Sequence, residues 1–272
     1  MWKKVKSLKN KFCYNDKEMP FLEHLEQLRK TIINIGFSLL IGFLICFPFG
    51  KYILEILLKP AEPYIQTFSN QTNNIGIFLV FQEPTSSIKM ILLVTFFGGL
   101  FLSLPAILYF IASFILPGIK EKEQKALKSI TMFSSALFFL GIIMGYKITL
   151  PLALQWMLKL GNFLGGESVW FYSKYIMFVL QIMLAFGLAF QLPVILIVLG
   201  KMGFIGSDFL RKKRRHVIII LLIFSMLLTP PDVLTQLLLA TPLILLYELC
   251  IWFLHFSGNR NLLLDSDEKN EV

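Results

Sequence analysis

The stretch RRHVIIILLIFSMLLTPPDVLTQ, residues 214–236, decides how this chain is built. A cluster of cations leads into the apolar run 217–228, which stops at Thr229-Pro230-Pro231-Asp232. The twelve residues of this run would reach roughly 18 Å as a helix, whereas the hydrocarbon core of a bilayer is about 30 Å thick. The run therefore predicts a membrane helix that is too short to cross an undeformed bilayer.

Five further apolar segments surround this short run. Hydrophobic residues make up 56% of the sequence, above the roughly 45–50% that is usual in soluble domains. Four segments are long enough to cross a bilayer and carry few or no charges: 32–49, 88–116, 126–150 and 175–199. A last segment covers 233–256. The sequence thus predicts an all-α integral membrane protein with six transmembrane helices, of which the fifth and sixth are short.

The distribution of lysine and arginine predicts the orientation. If the amino terminus is inside, the inner segments hold twenty of the 26 cationic residues and the outer segments hold five, while Lys89 starts the second segment. The positive-inside rule therefore predicts an N-in/C-in topology. The formal net charge of +9 is accordingly a signal of topology, and it gives little support to nucleic-acid binding.

The chain divides into one membrane domain with two polar ends. We expect a basic cytoplasmic arm at 1–19, the six-helix membrane domain at 20–256 and a polar, disordered cytoplasmic tail at 257–272. The first apolar segment is full-length and has no small-residue cleavage site, so no cleaved signal peptide is expected. The longer outer loops, 50–84 and 151–173, are expected to cap the outer face.

Prolines lie inside four of the apolar segments or near their ends: Pro48, Pro105, Pro193 and Pro242. Each removes a helical hydrogen bond and favours a kink. A single kink of this kind is explained by a helix that bends to pack against its neighbours. Together the four prolines predict curved helices that form a bundle with a concave face.

The sequence contains no pattern of catalytic or metal-binding residues. Its three histidines and three cysteines are scattered, and it has no HExxH, GxSxG or glycine-rich phosphate loop. An enzyme is therefore disfavoured, and neither a metal nor a cofactor is expected. The polar groups within the later segments are few, chiefly Gln191 and Glu248. A small-solute or ion secondary transporter is the alternative, but it would be expected to show intramembrane charges and inverted repeats.

Carboxylates stand out on the basic inner face. The segment 20–30 places Glu23 and Gln27 on one stripe of an interfacial helix, and Glu26 lies beside them. The inner loop PGIKEKEQK, 117–125, adds two more carboxylates, including Glu123. Because carboxylates bind guanidinium groups in bidentate fashion, these acids suggest a site for an arginine-bearing peptide. Local Lys–Glu pairs in a solvated loop remain the alternative.

Four motifs resemble the TatC family of the twin-arginine protein translocase. In order along the chain they are FLEHLEQLRK, FILPGIKEKE, AFGLAFQLPV and LLTPPDVLTQLLLATPLILLYE. The resemblance implies a six-span receptor in the bacterial cytoplasmic (inner) membrane, with both termini cytoplasmic. Such a receptor binds twin-arginine signal peptides of folded cargo and assembles TatA- and TatB-like single-span subunits into a multi-copy complex driven by the proton motive force. It is not an enzyme and needs no cofactor.

The resemblance also implies roles for particular residues. The expected signal-peptide-binding residues are Glu123, Phe114, Pro117, His24 and Arg29, with Glu23 or Glu26 sharing recognition because Gln27 replaces the usual glutamate. The expected partner-binding residues are Met226, Thr229, Asp232 and Gln236. Gln191 also stands where many relatives carry a glutamate, so it cannot be an obligatory proton carrier.

The short fifth helix suggests a function of its own. A helix that is shorter than the bilayer requires local thinning of the membrane, which would lower the barrier to moving cargo. The alternative is a tilted hairpin whose ends snorkel to the interface through Arg214 and Arg215.

Overall fold

The computed structural model describes residues 21–65, 77–81, 83–115, 124–165, 168–201, 207–228 and 233–270. Helices account for most of these residues: α1 (Phe21–Cys46), α2 (Gly50–Leu58), α3 (Ser86–Ile115), α4 (Gln124–Met144), α5 (Leu150–Phe163), α6 (Tyr172–Ala189), α7 (Leu192–Lys201), α8 (Ser207–Lys212), α9 (Arg214–Leu228) and α10 (Val233–Asn270). Two short strands, β1 (Ile77–Val80) and β2 (Ser168–Phe171), lie among them. The predicted helical membrane architecture is confirmed.

Five helical stretches of the described chain are long and apolar enough to cross a membrane. They are Leu25–Leu58, Ser86–Phe114, Lys128–Phe163, Tyr172–Leu199 and Thr235–Trp252. The helix α9 has only 15 residues, which reach roughly 22 Å, so it stays below the bilayer thickness as its sequence predicts. The orientation of the termini remains a prediction.

The last helix differs from the expectation. We expected a short sixth helix that ends near residue 256 and a disordered tail after it, but α10 has 38 residues and continues to Asn270. No proline follows Pro242, and the added stretch contains three consecutive leucines, so nothing interrupts the helical hydrogen bonding. Its candidate membrane span, Thr235–Trp252, is nevertheless only 18 residues long.

Three of the long stretches consist of two helices joined end to end. A 3₁₀ turn that contains Pro48 joins α1 to α2, and a π-helical turn, Gly145–Thr149, joins α4 to α5. The helix α6 ends at Ala189 and α7 begins at Leu192, immediately before Pro193. Two of the predicted kinks therefore coincide with breaks, whereas Pro105 and Pro242 lie inside uninterrupted helices.

The outer loops contain more regular structure than we expected. The helices α2 and α5 fill the beginnings of the ranges 50–84 and 151–173. The strands β1 and β2 then pair in parallel, with Ile77 opposite Ser168 and Val80 opposite Phe171. Four-residue strands are too short to show a recognisable alternation, which is why the sequence predicted no sheet. This pairing connects the two outer loops to each other.

Side-chain hydrogen bonds fix α2 against the neighbouring helices. The hydroxyl of Tyr175 donates to the carbonyl of Leu57 at 3.0 Å, and that of Tyr146 donates to the carbonyl of Ile56. Gln155 of α5 donates to the hydroxyl of Tyr64 at 2.9 Å. The end of the third apolar segment and the start of the fourth are thereby held against α2.

The start of α3 is fixed by an exposed ion pair. The ammonium of Lys89 lies 3.0 Å from the carboxylate of Glu83, and the amide of Glu83 donates to the hydroxyl of Ser86. The hydrogen bond and the charge of Lys89, with a further hydrogen bond from Thr85, hold the pKa of Glu83 below its usual value. Lys89 is thus paired outside the apolar part of the segment.

The helix α6 forms the centre of the core. Ile176, Val179, Ile182 and Phe186 are fully buried along it, and α6 packs against α4 and α3. The helix α1 lies farther out, and many of its large apolar side chains are exposed. In a bilayer those side chains face lipid or another protein.

Helices α1 and α3 cross at two glycines. A Cβ atom on Gly99 would lie 2.5 Å from the backbone nitrogen of Phe43, and one on Gly42 would lie 2.5 Å from the carbonyl oxygen of Gly99. Small residues allow membrane helices to approach this closely and gain van der Waals contact. This crossing sets the relative position of the first two apolar segments.

We expect Gly99→Ala to lower the free energy of unfolding by about 1–3 kcal/mol, because the new methyl group forces the two backbones apart. Thermal unfolding in detergent measures the change. Gly36→Ala is the matched control on α1, since a Cβ there meets nothing within 4 Å. An equal loss of stability in both variants would show that the close crossing is not the cause.

Candidate functional site

Three helices, α4, α7 and α10, border an apolar groove of about 630 Å³, which we call the α4–α7–α10 groove. Because consecutive spans alternate in direction, Ser129, Val198 and Trp252 lie towards one end of the groove, while Leu137 and Leu246 lie towards the other. The full lining consists of Ser129, Ile130, Phe133, Leu137, Pro193, Val194, Ile197, Val198, Leu246, Leu249, Cys250 and Trp252. Such a surface suits an apolar helix or an extended apolar segment.

One end of this groove lies near the start of α4. Ser129 is in the second turn of α4, which begins at Gln124, so the two residues are roughly 8 Å apart along the helix axis. Glu123 directly precedes the helix and lies outside the described residues. Glu123 is therefore joined through the chain to the helix start that lies nearest the Ser129 end of the groove.

A buried polar pair lies beside the groove. The hydroxyl of Ser134 on α4 donates to Oε1 of Gln191, and Nε2 of Gln191 donates to the carbonyl of Ser134 at 3.1 Å. Both residues are buried. Gln191 stands at the junction of α6 and α7, so its amide connects this junction to α4.

Polar contacts also connect α9 to α10. The side-chain amide of Gln236 donates to the carbonyl of Leu222 at 3.2 Å, and Arg214 forms an ion pair of 3.0 Å with Glu248. The hydroxyl of Tyr247 donates to the carbonyl of Leu210 at 2.9 Å. These contacts hold α10 against the start and the middle of α9 and against α8, and they show that Glu248 has a cationic partner.

The amino-terminal candidates occupy the first turns of α1. Glu26 accepts a hydrogen bond from Lys30 at 2.9 Å, and both side chains are largely exposed. An incoming guanidinium would have to displace Lys30, which a weak exposed ion pair permits. In the same turns Gln27 is half-buried and Arg29 is exposed, whereas the side chains of Glu23 and His24 lie outside the described part.

The remaining candidates fall into two groups along the chain. Phe114 is half-buried in the last turn of α3, next to the inner loop, while Met226 is exposed on α9. Four predicted site residues lie outside the described residues: Pro117, Glu123, Thr229 and Asp232. The structure therefore positions the helices that flank these residues but does not test their roles.

Sequence reasoning missed two of these contacts. Ser134 gave no signal, because a serine in an apolar helix often bonds only to its own backbone, as Ser135 does with Thr131. The Arg214–Glu248 pair could have been inferred, since an isolated carboxylate in the last apolar segment needs a cationic partner. The groove has no sequence signature, because its walls come from three separate helices.

Comparisons with known proteins agree with this architecture. The family model described as Sec-independent protein translocase protein (TatC) matches residues 23–242. The chain is 36% identical over 235 residues to TatC of Aquifex aeolicus, an alignment that covers 86% of this chain and 94% of that protein. It is 34% identical over 242 residues to TatC of Carboxydothermus hydrogenoformans, covering 89% of this chain and 95% of the relative.

A solved structure shows the same fold. The crystal structure of the twin arginine translocase receptor TatC matches this chain with a TM-score of 0.73 and 34% identity, covering 87% of this chain and 100% of that one. The likeness therefore extends across nearly the whole described membrane domain. This chain belongs to the TatC family, and it is a multi-pass membrane component of the protein translocase rather than an enzyme.

Proposed function

We propose that this protein is the receptor that binds twin-arginine signal peptides of folded cargo proteins. The observation that carries the proposal is the α4–α7–α10 groove, one end of which lies within two helical turns of Gln124, the residue that directly follows Glu123. In a twin-arginine signal peptide the arginine pair precedes an apolar stretch. A carboxylate beside the end of an apolar groove is complementary to that order of charge and apolar surface.

The arginine pair docks at the inner face. Glu123 accepts a guanidinium in bidentate geometry, and Phe114 and Pro117 belong to the same surface around the inner loop. The first turns of α1 contribute Glu23 or Glu26 in place of the uncharged Gln27, and His24 and Arg29 belong to the same segment. The exposure of Glu26 and Arg29 supports this arrangement, because both side chains are accessible to a peptide.

The apolar stretch of the signal peptide packs in the groove. Inside a membrane, burial from water no longer drives association, and close van der Waals packing takes over. The aliphatic and aromatic side chains of three helices supply that packing. The arginines of the peptide would thus be bound by carboxylates, and its apolar part by van der Waals packing in the groove.

Single-span partners resembling TatA and TatB bind at α9 and α10. Met226 is 62% exposed on α9, and Gln236 offers a polar contact on the adjacent helix. Thr229 and Asp232 lie between these helices in the sequence. Several copies assemble in the bacterial cytoplasmic (inner) membrane with both termini in the cytoplasm, and the proton motive force drives transport.

Peptide binding tests the receptor proposal. We expect the detergent-purified protein to bind a labelled Arg-Arg signal peptide at least about tenfold more tightly than its Lys-Lys counterpart, because lysine cannot form the bidentate contact. Glu123→Ala should remove this preference, whereas Glu121→Ala, two residues away in the same loop, should retain it. Equal binding of both peptides by all three proteins would overturn the proposal and favour the transporter alternative.

A further inference from the structure

We infer that Ser134 and Gln191 are positioning residues for the α4–α7–α10 groove. Their hydrogen-bonded pair holds the junction between α6 and α7 against α4, and this contact places Pro193 and Val194 in the groove wall. The inference rests on the proposed function, because it concerns the shape of the site for the apolar part of the signal peptide.

The position of the pair supports this role. Ser134 follows the groove residue Phe133, and Gln191 precedes Pro193 by two residues. The two hydrogen bonds join residues that are 57 positions apart in the sequence. The pair itself is buried, so it touches the peptide only through the side chains that it positions.

Gln191 bridges the interruption between α6 and α7. Pro193 has no amide hydrogen to donate to the carbonyl of Ala189, so the helical ladder is interrupted here. Backbone hydrogen bonds of Gln191 reach both sides of the interruption: its amide donates to Leu188 at 3.0 Å, and its carbonyl accepts from Ile195 at 3.1 Å. A side chain fixed at this residue therefore fixes the angle between α6 and α7.

The side chain at position 191 must accept one hydrogen bond from the hydroxyl of Ser134 and donate another to the carbonyl of Ser134. An amide does so at every pH, whereas a carboxyl group does so only when it is protonated. The titratable side chains described on the helices around the groove are few: Lys128 on α4, and Tyr247, Cys250 and the Arg214-paired Glu248 on α10. The wild-type groove should accordingly keep its shape across a broad pH range.

The Gln191→Glu variant tests this role, because its hydrogen bonds to Ser134 depend on pH. We expect its affinity for an Arg-Arg peptide with an apolar stretch to match the wild type at about pH 6, where burial keeps the new carboxyl protonated with both hydrogen bonds while solvated carboxylates that could bind the arginines stay ionised. At high pH the ionised carboxylate loses the donor to the carbonyl of Ser134, so the affinity should fall at least about tenfold. The wild-type affinity should stay constant over the same range.

A shorter probe distinguishes positioning from general stability. A peptide that carries the Arg-Arg pair without the apolar stretch should bind the variant and the wild type equally at each pH. Ser134→Ala should weaken only the long peptide, and Ser135→Ala is its matched control, because Ser135 bonds within its own helix at 2.8 Å.

Three outcomes would overturn the inference. If the variant binds the long peptide with wild-type affinity at every pH, the pair does not position the groove. If both peptides weaken together at high pH, the pair stabilises the whole fold and has no specific effect on the groove. If the wild type itself shows no preference for the Arg-Arg peptide, the proposed function fails and the inference falls with it.

Discussion

Replacing Ile197 with tryptophan is expected to abolish binding of the apolar stretch of a signal peptide. Ile197 is half-buried on α7 and lines the α4–α7–α10 groove, so an indole at this position would fill the space that the peptide needs. We expect the affinity for an Arg-Arg peptide with its apolar stretch to fall by about 100-fold, which corresponds to roughly 2.7 kcal/mol. Export of a twin-arginine cargo should fall in parallel.

Ile195→Trp is the matched control for this substitution. Ile195 lies two residues away on the same helix, is 52% exposed and does not line the groove. Fluorescence titration of a labelled peptide against both variants measures the affinities, and thermal unfolding in detergent shows whether each variant is folded. Wild-type affinity in a folded Ile197→Trp variant would mean that the apolar stretch binds elsewhere on the protein.

The membrane architecture followed from local sequence. An apolar run of about 18 residues without charges has few alternatives to a transmembrane helix, because any polar group left in lipid is costly. The same reasoning identified the short run at 217–228, which became the 15-residue helix α9. These features depend on neighbouring residues alone, so they could be predicted before any contact between helices was known.

Contacts between distant segments could not be predicted in this way. The partner of Gln191 is decided by how α4 and α6 pack, and the pairing of β1 with β2 joins two loops that are far apart in sequence. Neither contact leaves a periodic pattern. The helical continuation of α10 to Asn270 was missed for another reason: polarity was taken to indicate disorder, although the stretch contains good helix formers.

Lengthening α9 is expected to abolish export if its shortness thins the bilayer. The helix reaches roughly 22 Å and falls about 8 Å short of the hydrocarbon core. Hydrophobic mismatch costs a fraction of a kcal/mol per Å. Without the mismatch the bilayer would regain its full thickness, and the free-energy barrier to moving cargo across it should rise by a few kcal/mol. Transport should then be slower by about 100-fold. Seven added leucines would bring the helix to roughly 33 Å while rotating its faces by only about 20°.

The polar contacts of the hairpin dictate where the leucines must be inserted. Gln236 pairs with Leu222 and Glu248 pairs with Arg214, so lengthening α9 alone would pull one of these contacts apart. One insertion between Arg214 and Leu222 and a second between Gln236 and Glu248 keep both contacts in register. Seven polar residues inserted after Gly258, beyond the candidate span, are the control.

Export of a folded twin-arginine reporter, normalised to the amount of receptor in the membrane, gives the result. Loss of export in the lengthened hairpin, with normal peptide binding and a functional control, would support thinning as a separate step after recognition. Undiminished export would favour the tilted hairpin. That alternative already has one physical difficulty, because the guanidinium of Arg214 is engaged by Glu248 and is therefore restricted in its ability to snorkel towards the interface.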